Sequence, residues 1–336
     1  MPLSETALCT VCIPTYNQSK YLRHAVQSVA EQSAPVRLLV SNDASPDDTA
    51  EVIAELQKQY SFAAVNHKEN RGISAHLEWL FRQPETPYIM RLDSDDFLHP
   101  DYISELQGLM ERYPKAGYAH CAVMEVDAED RSLGDRRLGR VQEFEDADHM
   151  LRRSVMGYQV SANILMFRRE ALASVDFGTT AERLNHAEDY DLSVRLADAG
   201  WGNIYSGKIL ASHRKWASTS RPVVSRKMAE LRGLTLVFTG SLEQAFARRG
   251  WSMRPLRRRR RQLALNNSDV LDRGSFAPGE RENMVDALVK LGGTRAVRVC
   301  MGEDVLGRSV RRSVVAAVES EIYLKRWVKR VLFGRR

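Results

Sequence analysis

Three carboxylates follow a short apolar run, in the tetrapeptide Asp93-Ser94-Asp95-Asp96. The run before it, Tyr88-Ile89-Met90-Arg91-Leu92, is typical of a buried strand. Carboxylates are costly to bury unpaired, because each must be desolvated. A divalent cation carrying a diphosphate would meet them, since such ions take one or two carboxylates plus phosphate oxygens. A solvated acidic loop is the alternative, and the tetrapeptide alone favours neither.

Polar residues also follow two other predicted strands. Tyr16 stands in a turn after the strand Leu8–Ile13, and Asp43 stands in the turn after the strand Val36–Val40. A nucleotide base could stack on Tyr16, which is worth ~1–3 kcal/mol, although the ring could also be structural. Asp43 can accept the N–H of a base edge, or it can cap the helix that follows.

A further acidic pair, Glu188-Asp189, opens a strongly predicted helix over Glu188–Gly200. The helix dipole stabilises carboxylates at this end, and that effect alone would explain the pair.

The elements that must position these residues alternate between strand and helix over the first 110 residues. This alternation predicts an α/β fold with a mainly parallel sheet and helices on both faces. Ligands bind at the carboxyl ends of the strands in such sheets, and the turns after Ile13, Val40 and Leu92 all fall there. We expect a first domain over 1–220, with a first half (1–115) and a second half (116–220), followed by a basic helical region over 221–336.

The charge supports this division. Residues 1–220 carry 23 basic and 32 acidic side chains, a net charge of −9, whereas residues 221–336 carry 26 and 11, a net charge of +15. The chain has 336 residues, of which 43% are hydrophobic, and no apolar run is long enough to cross a bilayer. We expect a cytoplasmic protein. Cys9 and Cys12 lie inside an apolar run and are predicted to be core residues.

Five motifs in order resemble the inverting family-two glycosyltransferases of the GT-A, or nucleotide-diphospho-sugar transferase, fold. The resemblance covers roughly residues 8–220, and it implies that 1–220 is a catalytic domain with a nucleotide-sugar half (1–115) and an acceptor half (116–220). The motifs are Ile13-Pro14-Thr15-Tyr16-Asn17, Val40-Ser41-Asn42-Asp43-Ala44-Ser45, Asn70-Arg71-Gly72, Leu92-Asp93-Ser94-Asp95-Asp96 (the DXD motif) and Glu188-Asp189-Tyr190-Asp191-Leu192.

The resemblance implies a role for each matching residue. Asp189 would be the general base, and Asp95 would bind Mn²⁺ or Mg²⁺, with His213 as a second candidate ligand. The residues implied in nucleotide-sugar binding are Pro14, Thr15, Tyr16, Asp43, Arg71, Gly72, Asp93, Ser94 and Arg214.

The chain departs from the family pattern at four places, one of which is Leu77-Glu78, where relatives carry an Arg-Asn pair in the segment after Gly72. Asn42 replaces the first of two acidic residues, and Trp216 stands where relatives carry a histidine. Val175-Asp176-Phe177-Gly178 replaces the usual Gly-Gly-Phe-Asp. These changes bear on sugar identity more than on the class of reaction.

The predicted function is metal-dependent transfer of a sugar from a UDP- or dTDP-sugar to a glycan or lipid-linked acceptor hydroxyl, in bacterial surface polysaccharide synthesis.

Residues 305–336 have the pattern of a basic amphipathic helix, which favours contact with the inner face of an anionic membrane. Packing on the catalytic domain is the alternative. We expect no nucleic-acid partner, because no recognition motif accompanies the arginine run. A non-catalytic sugar-nucleotide or glycan binding protein of the same fold is the rival function. A nucleotidyltransferase would need a glycine-rich phosphate loop after the first strand, and a dinucleotide oxidoreductase would need G-x-G-x-x-G.

Overall fold

The structure, a computed structural model, describes residues 7–175, 187–216, 223–273 and 275–294. These residues form two compact units. The first holds the described residues up to 216 except Ala187, and the second holds Ala187 and the described residues from 223 onward. The predicted helix over 305–336 and most of the departure at 175–178 lie outside the described residues.

The first unit begins with alternating strands and helices, as the sequence predicts. In chain order they are β1 (Cys9–Thr15), α1 (Ser19–Ala30), β2 (Arg37–Asn42), α2 (Thr49–Gln59), β3 (Ala63–Asn66), α3 (Ile73–Phe81), β4 (Tyr88–Arg91), β5 (Phe97–Leu98) and α4 (Tyr102–Arg112).

The elements after α4 are less regular. They are β6 (Ala116–Val126), β7 (Ser132–Arg136), β8 (Phe144–Glu145), α5 (Ala147–Ser154), β9 (Leu165–Arg168), α6 (Arg169–Ala173), α7 (Glu188–Asp198) and β10 (Gly202–Arg214). The segment 158–167 has the apolar composition of a strand, but β9 begins only at Leu165, which pairs with Arg91, the last residue of β4.

The sheet has the strand order β3-β2-β1-β4-β9-β6-β10-β5, with β7 beside β6 and β8 beside β10. Strands β1 to β4 run parallel, as do β6 and β10. Between these groups, β9 runs antiparallel to both β4 and β6. The α/β class is confirmed; the sheet is parallel over its first four strands and mixed beyond them.

The core of this unit lies between the sheet and its helices. Every residue of β1 is buried, and α1 buries Leu22, Val26 and Val29 in the same apolar cluster. Burying one such side chain stabilises the fold by roughly 1.5–3 kcal/mol. Cys9 and Cys12 are fully buried free thiols, which confirms them as core residues.

The register of the parallel strands brings their polar ends together. Thr15, at the end of β1, lies opposite Asn42 at the end of β2, and Asn42 lies opposite Asn66 at the end of β3. The turns that follow these strands therefore start from one edge of the sheet.

The second unit is helical where it is described. Helix α8 (Val223–Leu236) continues as a π-helical turn (Val237–Ser241) into α9 (Leu242–Arg248), and α10 (Arg254–Asn267), α11 (Val270–Arg273) and α12 (Glu280–Gly292) follow. Its core includes Leu231, Met284, Leu288 and Leu291. Across the described ranges of both units, no helix combines the length and apolar character needed to cross a membrane.

Candidate active site

The first two polar turns are tied to each other. The backbone N–H of Asp43 donates to the carbonyl of Thr15 at 3.0 Å, and the N–H of Asn17 donates to Ser45 Oγ at 3.0 Å. Asn17 adopts a left-handed φ of 54°. Tyr16, held between these contacts, is 50% exposed. The ring is accessible to a flat ligand, as its predicted role requires.

Asp43 organises a third turn that lies far away in sequence. Its carboxylate accepts the backbone N–H of Arg71 at 2.9 Å and that of Gly72 at 3.0 Å, and the Asp43 side chain is buried. Gly72 has a φ of 76°, a left-handed conformation that favours glycine. Asp43 does not cap α2, where Asp47 instead accepts the N–H of Thr49. Asp43 therefore shapes the Asn70-Arg71-Gly72 turn, and its predicted base contact would use the remaining lone pairs.

Two histidines, His67 and His76, meet at the Ser41 hydroxyl in β2. Ser41 Oγ lies 2.7 Å from His76 Nε2 and 3.2 Å from His67 Nε2. Burial lowers the pKa of both imidazoles, so both are neutral at physiological pH. The guanidinium of Arg71 lies 5.5 Å from the Trp79 ring centre. The histidine pair has no recognisable motif in the sequence, because its members are 26 and 35 residues from Ser41.

Arg91 links two of the predicted site residues and was not predicted as a site residue itself. Its Nε donates to Asp93 Oδ1 at 2.7 Å and its Nη2 donates to Asp93 Oδ2 at 3.3 Å. Its Nη1 lies 3.4 Å from Asp189 Oδ1. The DXD loop after β4 and the start of α7 thus meet at one guanidinium. A charged residue within the apolar run 88–92 was the available signal, since a buried arginine requires carboxylate partners.

The electrostatics of this trio depend on burial. Burial lowers the pKa of Arg91, but Asp93 and Asp189 outweigh that effect and the pKa is raised overall. Burial raises the pKa of Asp189, Arg91 opposes the shift, and Asp93 and Glu188 add to it. The Asp189 side chain is still 24% exposed, so it is reachable by a ligand. A carboxylate with a raised pKa and partial access suits general-base chemistry.

The other acids of the DXD loop, Asp95 and Asp96, are bound by the last residue of β10 and by the chain just after it. Trp216 Nε1 donates to Asp95 Oδ2 at 2.8 Å, and the backbone N–H of Arg214 donates to Asp96 Oδ1 at 2.8 Å. Asp96 is buried, and burial together with Asp93 and Asp95 raises its pKa well above the usual value. Asp96 therefore fixes the loop, whereas Asp95 is held at one carboxylate oxygen.

Arg214 is built into the fold. Its Nε donates to the Asp95 carbonyl at 2.9 Å, its other nitrogens bind the Asp127 carbonyl and the Asp130 carboxylate, and its side chain is 1% exposed. The guanidinium also lies 4.4 Å from the Tyr21 ring centre. Each guanidinium nitrogen has a protein acceptor, so the predicted diphosphate contact would require some of these bonds to open.

The two predicted metal ligands differ in their surroundings. Burial, with Asp93 adding, raises the pKa of Asp95, while Trp216 and His213 oppose the shift. Burial lowers the pKa of His213, and the Nδ1 of this imidazole is buried without a hydrogen-bond partner. The Asp95 carboxylate is a ligand that suits Mn²⁺ or Mg²⁺, whereas the unpartnered imidazole nitrogen of His213 is a less typical ligand for these ions.

These two ligands would not hold a cation alone. Within the described ranges, no group of three or more His, Cys, Asp or Glu side chains is arranged to bind a metal ion. Phosphate oxygens from a substrate would have to complete the coordination, as they commonly do for Mg²⁺. Among the remaining predicted residues, Pro14, Thr15 and Ser94 are buried, and Thr15 Oγ1 has no hydrogen-bond partner.

The fold is of the GT-A type. The structure of S. aureus TarS (residues 1–349) in complex with UDP superposes with a TM-score of 0.65 at 13% identity, covering 93% of this chain and 91% of that one. The mannosyltransferase PcManGT from Pyrobaculum calidifontis, in complex with GDP-Man and Mn²⁺, superposes with a TM-score of 0.50 at 17% identity, covering 95% and 88%.

The sequence matches a known family over its first part. Residues 10–174 match the model of glycosyl transferase family 2, so this part of the chain is a family-two glycosyltransferase domain. Chondroitin synthase of Escherichia coli is 26% identical over 199 residues, which are 59% of this chain. The match spans 28% of the length of that synthase. The resemblance inferred from the five motifs is confirmed.

Proposed function

We propose that this protein is a metal-dependent, inverting glycosyltransferase that moves a sugar from a UDP- or dTDP-sugar to the hydroxyl of a growing polysaccharide or lipid-linked glycan. The family supports sugar transfer, and the chondroitin synthase relative supports an acceptor of polysaccharide type. The observation that carries the proposal is the Arg91 guanidinium between Asp93 and Asp189. It joins a residue proposed to face the donor to the residue proposed to activate the acceptor.

Asp189 is the proposed general base. Its carboxylate takes the proton of the acceptor hydroxyl as that oxygen attacks the anomeric carbon, from the face opposite the diphosphate. The bond from the anomeric carbon to the diphosphate breaks in the same step, so one displacement inverts the configuration. Arg91, 3.4 Å from Asp189 Oδ1, fixes the direction of the carboxylate and opposes the rise in its pKa.

The donor nucleotide is proposed to lie over the polar strand ends. Tyr16 offers an exposed ring for the base, and Asp43 offers carboxylate lone pairs for a base N–H. Asp93 is proposed to contact the ribose. The Arg71-Gly72 turn, which Asp43 holds through two backbone N–H groups, closes this region.

The leaving diphosphate needs positive charge beside it. A divalent cation would supply that charge when it is bound together with the donor. Asp95 and His213 are the residues proposed to hold it. Trp216 keeps one oxygen of Asp95 occupied at 2.8 Å, which leaves the other oxygen for the cation.

We propose a cytoplasmic location at the inner face of the cell membrane. The support is the basic amphipathic pattern of residues 305–336 in the sequence. Loss of these residues is expected to reduce flotation of the protein with anionic liposomes; unchanged flotation would contradict this assignment.

The proposed donor is tested first by thermal shift with a panel of UDP-, dTDP- and GDP-sugars, each with and without Mn²⁺. A cognate donor should raise the Tm when Mn²⁺ is present, since a ligand that binds only the folded state stabilises that state.

The proposed base is tested with Asp189→Asn, which keeps the shape of the side chain but cannot accept the proton. Transfer should fall by about 10²–10⁴-fold while nucleotide binding is retained. Glu188→Gln, in the same helical turn, is the matched control and should keep most of the activity; equal activity of both variants would refute the role of Asp189.

A further inference from the structure

A run of arginines in the second unit is not used by the proposed function. Helix α10 contains Arg257 to Arg261 without interruption, and Arg254 precedes the run by one turn. Four of these side chains recur at spacings of three and four residues, which places them on one face of the helix. These are Arg254, Arg257, Arg258 and Arg261, here called the arginine stripe, and all four are exposed.

The arginine stripe has no anionic partner in the part of the chain that the structure describes. No ion pair or side-chain hydrogen bond joins any of its four guanidinium groups to a described residue. Arg260, in the same run, behaves differently. It pairs with Glu243 at 2.7 Å and donates to the carbonyls of Lys290 and Leu291, at the end of α12.

The stripe is electrostatically unfavourable on its own. Like charges three and four residues apart on a helix repel each other, and α10 contains no Asp or Glu that could offset them. An anionic partner would convert this repulsion into attraction.

The shape of the stripe indicates which anionic partner fits. Seven residues of helix separate Arg254 from Arg261, a length of about 10 Å. The stripe lies along one exposed helix face, so a flat anionic surface can meet all four side chains together. The apolar residues of the helix are buried or partly buried in the unit, so little apolar surface is left to insert into a bilayer. The helix also lacks aromatic residues on which nucleic-acid bases could stack.

We propose that the arginine stripe docks this protein on the phosphate headgroups of an anionic phospholipid surface. Guanidinium groups bind phosphate oxygens through two parallel hydrogen bonds, which favours arginine at such a contact. The contact is electrostatic and lies at headgroup depth, so it should weaken steeply as salt is added. The stripe lies outside residues 305–336 in the sequence, and the proposed contact does not require the transfer reaction.

The test is co-sedimentation of the full chain with vesicles of phosphatidylcholine alone or of phosphatidylcholine with phosphatidylglycerol. The stripe variant carries Arg254→Gln, Arg257→Gln, Arg258→Gln and Arg261→Gln. The control variant removes the same charge from exposed arginines on other elements, through Arg82→Gln, Arg112→Gln, Arg232→Gln and Arg281→Gln. Circular dichroism and Tm check that both variants fold.

Wild type should bind the phosphatidylglycerol vesicles and not those of phosphatidylcholine alone. The stripe variant should lose about tenfold or more in affinity, given the gain expected for each basic residue near an anionic leaflet, while the control variant stays within about threefold. Three results would overturn the proposal: equal losses in the two variants, wild-type binding by the stripe variant, or stripe-dependent binding to soluble polyphosphate with none to vesicles.

Discussion

The arginines of the two units are used in opposite ways. In the first unit, Arg91 and Arg214 are largely buried, and each binds carboxylates or carbonyls on distant parts of the chain. In the second unit, the arginine stripe is exposed and has no partner among the described residues. A buried arginine must be paired because an unpaired buried charge is costly, whereas an exposed arginine remains solvated. The same residue type therefore fixes the site in one unit and remains available for binding in the other.

The largest loss of stability is expected for Arg214→Met. The substitution removes the hydrogen bonds to the Asp95 and Asp127 carbonyls and the ion pair with Asp130, which keeps only its contact with His24. The free energy of unfolding should fall by about 3 kcal/mol, as measured in urea. A fall as small as that of an exposed arginine would show that Arg214 does not hold the loop.

Arg91→Met should lower the free energy of unfolding less than Arg214→Met does, and its main effect should be a loss of activity. Asp93 and Asp189 are partly exposed, so solvent screens their repulsion and the free energy of unfolding should fall by only about 2 kcal/mol. Turnover should fall by about 100-fold, because Asp189 is no longer oriented. Steady-state kinetics would separate the two effects, and Arg91→Lys should restore part of kcat. Normal kcat in Arg91→Met would contradict the positioning role.

Arg260 tests the comparison within a single helix. Arg260→Gln removes the pair with Glu243 and two bonds to carbonyls at the end of α12. The free energy of unfolding should fall by about 1 kcal/mol. The fourfold stripe variant should change it by less than about 0.5 kcal/mol. If the stripe variant lost more free energy of unfolding than Arg260→Gln, the assigned roles of these arginines would be contradicted.

The pH dependence of turnover should report on Asp189. Burial raises the pKa of this carboxylate, and a general base works only when deprotonated, so kcat should fall as the pH drops through the raised pKa. Arg91 opposes the rise, so its removal should move the acidic fall to higher pH. An acidic limb that does not move in Arg91→Met would show that the two groups are not coupled.

The sequence predicted most of the local structure around the site. The apolar periodicity of β1, β2 and β4 and the polar turns after them place Tyr16, Asp43 and the DXD loop at one sheet edge, as the register confirms. Helix α7, which carries Asp189, was also predicted close to its observed bounds. These features depend on local patterns of a few residues.

The contacts that shape the site could not be predicted in this way. Asp43 binds the Arg71-Gly72 turn 28 and 29 residues away, and Arg91 meets Asp189 across 98 residues. Trp216 reaches Asp95 across 121 residues, in a position where only a departure from the family pattern was visible. Such partners are set by the tertiary fold and leave no spacing in the sequence.

Asp189 is proposed to be the base, and Arg91 is proposed to act through it. A double-mutant cycle on kcat tests this most directly, with Asp189→Asn, Arg91→Met and the double variant. We predict a loss of about 10²–10⁴-fold for Asp189→Asn and little further loss when Arg91→Met is added. Turnover near wild type in Asp189→Asn, or losses that multiply in the double variant, would contradict the account.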